Sequence, residues 1–176
     1  MCERLVSIAD IAIIGPSTGQ AQLSLAANPS AAYSVLRRGQ RLVADGNGPA
    51  GRAIVDSVLA FTPENTPAYA DALYWRATFA ETRDRARFDY LRVANEYATA
   101  AHAEDALLRL AQMANDAGDR ASAKKYLDRM TVEHADGRLR AQGAYWTGRV
   151  LLADGATLPA CAALTRAQAT RTSGGG

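Results

Sequence analysis

The sequence predicts an all-α protein, a right-handed superhelical solenoid built from about four antiparallel helix pairs. Small residues recur roughly every 34 residues, where two helices must approach to about 8 Å; they are Gly39, Ala77, Ala111 and Gly148. Apolar residues repeat around them with the period of a helix. Apart from a short apolar run at Ile11 to Ile14, no segment alternates apolar and polar residues for long enough to predict a strand.

A second small residue locates the second helix of each pair. It follows the first by twelve residues in the first, third and fourth units, at Gly51, Ala123 and Ala160, whereas the second unit reaches Ala86 three residues early. Apolar residues at matching positions supply the contacts between helices: Leu73, Leu107 and Ala144 in first helices, and Val55, Tyr90, Leu127 and Leu164 in second helices. Cys161, next to Ala160, is predicted to be a small buried helix residue.

Glycine and aspartate predict the turns inside three of the units. The pairs are Asp45-Gly46, Gly118-Asp119 and Asp154-Gly155. Glycine can adopt positive φ after one helix, and aspartate can cap the next.

The chain divides into three parts. Residues 1–30 are predicted to be an irregular N-terminal extension or a degenerate secretory signal, because Asp10 interrupts the apolar stretch from Leu5 to Ile14. That stretch is too short to span a bilayer. Residues 31–170 form the repeat domain, and the glycine-rich residues 171–176 are predicted to be a flexible tail.

Composition bounds the partners and cofactors. The 176 residues are 48% hydrophobic and 22% charged, which suffices for a core in one folded unit. The net charge is only +2, with basic and acidic residues interspersed, so nucleic acid is not an expected partner. Two cysteines and two histidines without a clustered ligand motif predict no metal, no cofactor and no disulfide framework.

The stretch from Ala86 to Ala167 resembles the tetratricopeptide domains of bacterial envelope proteins. The residues that carry the resemblance are 87–97 (RFDYLRVANEY), 103–112 (AEDALLRLAQ), 118–120 (GDR) and 145–149 (YWTGR). They are most similar to the periplasmic Tol-Pal-associated cell-division coordinator family, and next to the outer-membrane assembly lipoproteins. The tyrosine-proline pair that ends a repeat in those families is Tyr97-Ala98 here.

The resemblance implies a non-catalytic adaptor that binds envelope proteins and assists outer-membrane constriction or barrel assembly. It places the chain in the periplasm or cell envelope. A cytoplasmic location is the alternative, because units with the same spacing occur in cytosolic chaperone adaptors.

The candidate partner-binding residues occupy three positions of each first helix, which face the concave surface of such a repeat. Position 2 gives Tyr33, Asp71, Asp105 and Gln142; position 5 gives Leu36, Tyr74, Leu108 and Tyr145; position 9 gives Gln40, Thr78, Gln112 and Arg149. An apolar to aromatic row with polar flanks suits an extended peptide or a helix of a partner protein. Packing of Tyr74, Trp75, Tyr145 and Trp146 between repeats is the alternative interpretation.

Two other functions compete with a binding scaffold. An enzyme such as a helical-repeat glycan hydrolase would use carboxylates such as Glu96 and Glu104, but these flank a predicted turn between repeats instead of facing each other across a cleft. No catalytic residue is therefore predicted. A structural spacer or multimerising module is the second alternative. The last unit is predicted to expose apolar surface around Leu151, Leu158 and Leu164, which a partner, a second copy or the N-terminal extension would cover.

Overall fold

A computed structural model of the chain describes residues 29–173, with the side chains of residues 32–170. This range contains eight α-helices and no strand, so the all-α prediction is confirmed. The helices are α1 Pro29–Ala44, α2 Gly48–Phe61, α3 Pro67–Thr78, α4 Arg83–Glu96, α5 Ala103–Asp116, α6 Arg120–Glu133, α7 Arg140–Ala153 and α8 Thr157–Ser173. The expectations for residues 1–28, including the signal and the strand at Ile11 to Ile14, lie outside the described residues.

The helices follow one another in space as they do in sequence. Each helix packs against the next along the chain, and the first helices α1 and α3, and likewise α5 and α7, also contact each other. Such an array lets each pair bury its apolar face against its neighbours. A right-handed superhelical path remains a prediction. At the C-terminal end, α8 continues to Ser173, three residues into the segment expected to be a tail.

The small residues lie at the close approaches that the sequence predicts. Gly39, Ala77, Ala111, Gly148 and their partners Gly51, Ala123 and Ala160 are all buried. A Cβ atom on Gly51 would lie 2.8 Å from the carbonyl oxygen of Gly39, and one on Gly148 would lie 2.6 Å from Leu164 Cγ. In the first unit the two backbones therefore come too close for a side chain at position 51, whereas a Cβ atom at position 148 would collide with the Leu164 side chain.

The second unit has a shortened first helix, which explains the early position of Ala86. Helix α3 ends one residue after Ala77, whereas α5 continues for five residues after Ala111. The turns of the other three units contain glycines with positive φ, as predicted, at Gly46, Gly118 and Gly155. The turn between α3 and α4 has no glycine, and the Thr82 side chain caps α4 by accepting a hydrogen bond from Arg85 N at 3.3 Å.

An ion pair that the sequence pattern did not indicate lies inside this second unit. Asp89 on α4 has no exposed surface, and both of its carboxylate oxygens accept hydrogen bonds of 2.7 Å from Arg76 on α3. Arg85 Nε lies 3.8 Å from Asp89 Oδ2. The hydrogen bond to Asp89 raises the pKa of the Arg76 guanidinium, so Arg76 stays charged at all ordinary pH values.

Polar contacts join successive units at separations of 33 to 35 residues. Arg129 on α6 donates to the Ala94 carbonyl at 3.1 Å and to Asn95 Oδ1 at 2.9 Å, both at the end of α4. Glu104 on α5 is buried and accepts a hydrogen bond of 2.8 Å from Leu139 N, at the start of α7. These contacts fix the register of one helix pair on the next.

The C-terminal unit differs from expectation at its surface. Cys161 is exposed, so the prediction of a buried cysteine is wrong: α8 instead buries Ala160, Ala163 and Ala167. Leu158 is 85% exposed, whereas Leu151 and Leu164 are half-buried. Within residues 29–173, no helix has the length and apolar character needed to cross a membrane.

Candidate partner-binding surface

The predicted binding residues lie on α1, α3, α5 and α7, and the face that these helices form is called the first-helix face below. Six of the predicted residues on it are exposed polar or aromatic side chains: Tyr33, Gln40, Thr78, Gln142, Tyr145 and Arg149. Tyr33 is 51% exposed, with the Arg37 guanidinium 5.8 Å from its ring centre.

Asp71, Tyr74 and Asp105 are brought together by His102, a residue outside the predicted set. The imidazole of His102 stacks on the Tyr74 ring at a centroid distance of 4.3 Å and an angle of 9°. Its Nδ1 atom lies 3.4 Å from Asp105 Oδ2, and its Nε2 atom lies 3.9 Å from Asp71 Oδ1. Arg138, just before α7, forms an ion pair with Asp105. Charged groups of three successive units thus form a row along the first-helix face.

The two carboxylates of this row have pKa values shifted in opposite directions. Burial raises the pKa of Asp71, and the nearby His102 offsets only part of that effect. Burial acts the same way on Asp105, but hydrogen bonds with His102 and Arg138 outweigh it and lower the Asp105 pKa. The difference follows from the hydrogen bonds of Asp105 with His102 and, next, with Arg138, whereas His102 acts on Asp71 only through its charge.

The apolar row of the predicted groove is mostly internal to the protein. Leu36, Tyr74 and Leu108 are 2%, 7% and 5% exposed, so their side chains pack in the core. Tyr145 is different, because it is 46% exposed. Beside it, the Arg149 guanidinium lies 4.7 Å from the Trp146 ring centre and 5.9 Å from that of Tyr145. This cation–π cluster is the accessible aromatic part of the row.

The shortened helix α3 opens a notch between the α3–α4 turn and the last turns of α5. The notch has a volume of about 440 Å³. Its polar lining includes Thr78 and Gln112, both predicted, and Tyr90, Arg109 and Asp116, which were not predicted as binding residues. An ion pair between Glu81 in the turn and Arg52 on α2 holds the turn on the side away from α5. We call this site the α3–α5 notch.

Several polar groups of the α3–α5 notch can donate or accept further hydrogen bonds beyond those they form within it. The hydroxyls of Thr78 and Tyr90 lie 3.1 Å apart, and Arg109 donates to Gln112 Oε1 at 3.2 Å. Burial raises the pKa of Tyr90, so its hydroxyl remains a neutral donor and acceptor. Arg109 has five N–H donors, and it forms no ion pair within residues 29–173.

The carboxylates considered for catalysis have structural partners. Glu96 accepts hydrogen bonds from Arg92, one turn earlier on the same helix, at 3.0 to 3.2 Å. Glu104 is held by Leu139 N, as described above. Among the described residues, no group of three or more histidine, cysteine or acidic side chains is arranged to hold a metal ion.

Comparisons of this chain with protein-family models, with curated proteins and with solved structures give no match. A function for the chain therefore rests on its own residues and geometry.

Proposed function

We propose that the chain is a non-catalytic scaffold that binds a peptide or a helix of a partner protein on its first-helix face. In this proposal the four helix pairs are tetratricopeptide-like and wind as a right-handed superhelix. Support comes from the buried small residues at each close approach and from contacts between units at separations of 33 to 35 residues. Corresponding helices of successive units begin 35 to 38 residues apart, close to the 34-residue, two-helix unit of that repeat.

The single observation that carries the binding role is the α3–α5 notch. Arg109, Gln112 and Tyr90 are ordered by mutual or neighbouring hydrogen bonds and line the notch, where Arg109 keeps unused donors. Groups held in place before binding lose little entropy when a ligand arrives. Exposed Tyr145 and Arg149, with the partly buried Trp146 between them, offer a second anchor of the aromatic and arginine type that dominates binding energy.

A bacterial cell-envelope assembly is the proposed setting, and the resemblance of residues 86–167 to envelope tetratricopeptide domains supports it. The periplasm is the corresponding compartment, and the cytoplasm is the alternative.

A structural spacer is the second candidate function, and a specific observation favours it. Tyr74, which the sequence places in the middle row of the groove, and Asp105, which it places on a flank, already have partners within the chain in His102 and Arg138. Leu36 and Leu108 are buried. A spacer would use the first-helix face only to hold its own units together.

The deciding experiment is affinity capture from separate envelope and cytosolic extracts, followed by mapping of the bound segment as synthetic peptides. We expect the chain to retain an envelope protein, and the Arg109→Gln, Gln112→Ala variant to bind the mapped peptide at least about tenfold more weakly. The matched control is Lys124→Gln, Lys125→Ala, two exposed residues on the second helix α6. If native and notch variants capture the same proteins, or neither captures any, the spacer function is favoured instead.

A further inference from the structure

A second open site lies on the other side of the C-terminal units, where α6, α7 and α8 meet. This groove has a volume of about 580 Å³, within the range of small-molecule sites. Its apolar lining includes Met130, Gly143, Ala144 and Ala169. A Cβ atom on Gly143 would lie 3.0 Å from Met130 Cε, so a side chain at position 143 would displace the Met130 side chain that lines the groove. We call this site the α6–α8 groove.

Comparison with the preceding unit explains why the groove is open. Helices α4, α6 and α8 begin at Arg83, Arg120 and Thr157, at equal intervals of 37 residues. Arg166 on α8 therefore occupies the place that Arg129 occupies on α6. Arg129 closes its interface through hydrogen bonds to Ala94, Asn95 and Glu133.

The side-chain acceptors that hold Arg129 are replaced in the next unit. Val132 stands at the place of Asn95 and Thr170 at the place of Glu133. Val132 cannot accept a hydrogen bond and is 80% exposed. The Thr170 hydroxyl donates to the Arg166 carbonyl at 2.8 Å. The Arg166 guanidinium forms no hydrogen bond or ion pair within the described residues, and it lines the α6–α8 groove instead of closing it.

A second unpartnered group lines the same groove. The Nε2 atom of His134 is buried and has no hydrogen-bond partner among the described residues. Buried polar atoms in proteins nearly always have one, so an orphan of this kind calls for a ligand or a water. Arg140 also lines the groove, 3.7 Å from exposed Asp136, and Asp128 is the one carboxylate in the described lining. Cationic groups thus outnumber anionic ones around an apolar floor.

We propose that the α6–α8 groove binds a small organic carboxylate with an apolar body. The carboxylate accepts hydrogen bonds from the Arg166 guanidinium and from His134 Nε2–H, and the apolar body lies on Met130, Gly143 and Ala144. Guanidinium and carboxylate groups match in charge and in planar geometry. This site does not depend on the proposed partner-binding role, because it shares no residue with the α3–α5 notch.

The test is a nuclear magnetic resonance titration of the full chain with phenylacetate as the probe. Phenylacetamide serves as the neutral control ligand and phenethylamine as the cationic one. The chain has two histidines, so His102, packed against Tyr74 in another unit, is an internal control for His134 in the same spectrum. We expect phenylacetate to shift the His134 side-chain and Gly143 amide signals saturably, and to leave His102 unchanged.

Variants separate a specific site from general attraction of anions. Arg166→Gln should weaken phenylacetate binding at least about tenfold, the usual loss for one charge-assisted hydrogen-bonding group. Arg41→Gln, an exposed arginine on α1, should leave it unchanged. The proposal is overturned if millimolar phenylacetate gives no saturable shift, if phenylacetamide binds as well, or if Arg166→Gln binds like the native chain.

Discussion

Removing the guanidinium of Arg76 would leave the buried carboxyl group of Asp89 without its two closest hydrogen-bond donors. Asp89 is fully buried, and Arg76 supplies a hydrogen bond of 2.7 Å to each of its oxygens. Arg76→Met keeps most of the aliphatic stem and removes both donors. Breaking a buried ion pair from one side costs about 3–5 kcal/mol. Arg85, at 3.8 Å and largely exposed, recovers at most about 1 kcal/mol. We therefore expect a loss near 3 kcal/mol.

Urea and thermal unfolding followed by circular dichroism measure this loss. A change of about 3 kcal/mol lowers the unfolding midpoint by roughly 6–12 °C in a chain of this size. The matched control is Arg92→Met, which breaks an ion pair with the half-exposed Glu96 on a helix surface and should cost about 0.5 kcal/mol or less.

A double variant distinguishes the unpaired charge from lost packing. Arg76→Met combined with Asp89→Leu removes both charges, and such replacements are commonly neutral or stabilising. We expect it to recover most of the stability lost in Arg76→Met alone. If Arg76→Met is no more destabilising than Arg92→Met, or if the double variant is the least stable of the three, the reasoning about the buried carboxylate is wrong.

Three further predictions concern close packing, capping and acid titration. Gly51→Ala should lower the free energy of unfolding by about 1–3 kcal/mol through overpacking, although alanine ordinarily favours a helix by about 1 kcal/mol over glycine. A higher free energy of unfolding in urea would contradict the close approach. Glu104→Ala should lower the free energy of unfolding by about 1–3 kcal/mol and speed hydrogen exchange of the Leu139 amide, while Glu104→Gln keeps an acceptor and should lower it less. Equal exchange rates of the Leu139 amide in both variants would argue against the hydrogen bond. Carboxyl signals followed by magnetic resonance should show Asp71 titrating above, and Asp105 below, the ordinary aspartate pKa of about 3.9. Because the folded-state pKa of Asp105 is lowered, its contribution to stability is present above about pH 3.9 and is lost as the pH falls through the folded-state pKa. The folded-state pKa of Asp71 is raised, so the penalty for burying its charge is relieved as the pH falls through that pKa. A common titration midpoint for the two carboxyl groups would refute both assignments.

Steric requirements made the helix pairs predictable. Only glycine or alanine fits where two backbones meet, so Gly39, Ala77 and Ala111 are visible in the sequence without any knowledge of their partners. The turn glycines are visible for the same reason, since Gly118 must adopt a positive φ. These features depend on the local chain and on a fixed spacing.

Features that depend on distant partners were not predictable. Asp89 belongs to a residue type that is almost always at the surface, and nothing near it in sequence marks Arg76 as its partner. Helix α8 is so rich in small residues that its sequence does not separate an inner from an outer face, which explains the wrong prediction for Cys161.

The candidate site was only partly predictable for a related reason. Assigning binding residues from a fixed register on the first helices found Thr78 and Gln112 but excluded Tyr90, which lies on a second helix. The signal that could have found the α3–α5 notch was the early position of Ala86. The stretch between the two small residues of the second unit is three residues shorter than in the other units, so a gap is left beside the longer helix α5 of the third unit.

The contrast between Arg129 and Arg166 also bears on how the chain unfolds. In a linear array, stability is the sum of each unit and its contacts with the adjoining units, so cooperativity is only as strong as the weakest interface. The interface that the hydrogen bonds of Arg129 stabilise should open only when the body of the chain unfolds. The interface at which Arg166 forms no such hydrogen bonds should let α7 and α8 open separately, at a lower free energy. Native-state hydrogen exchange should therefore show faster exchange in α7 and α8 than in α3 to α6.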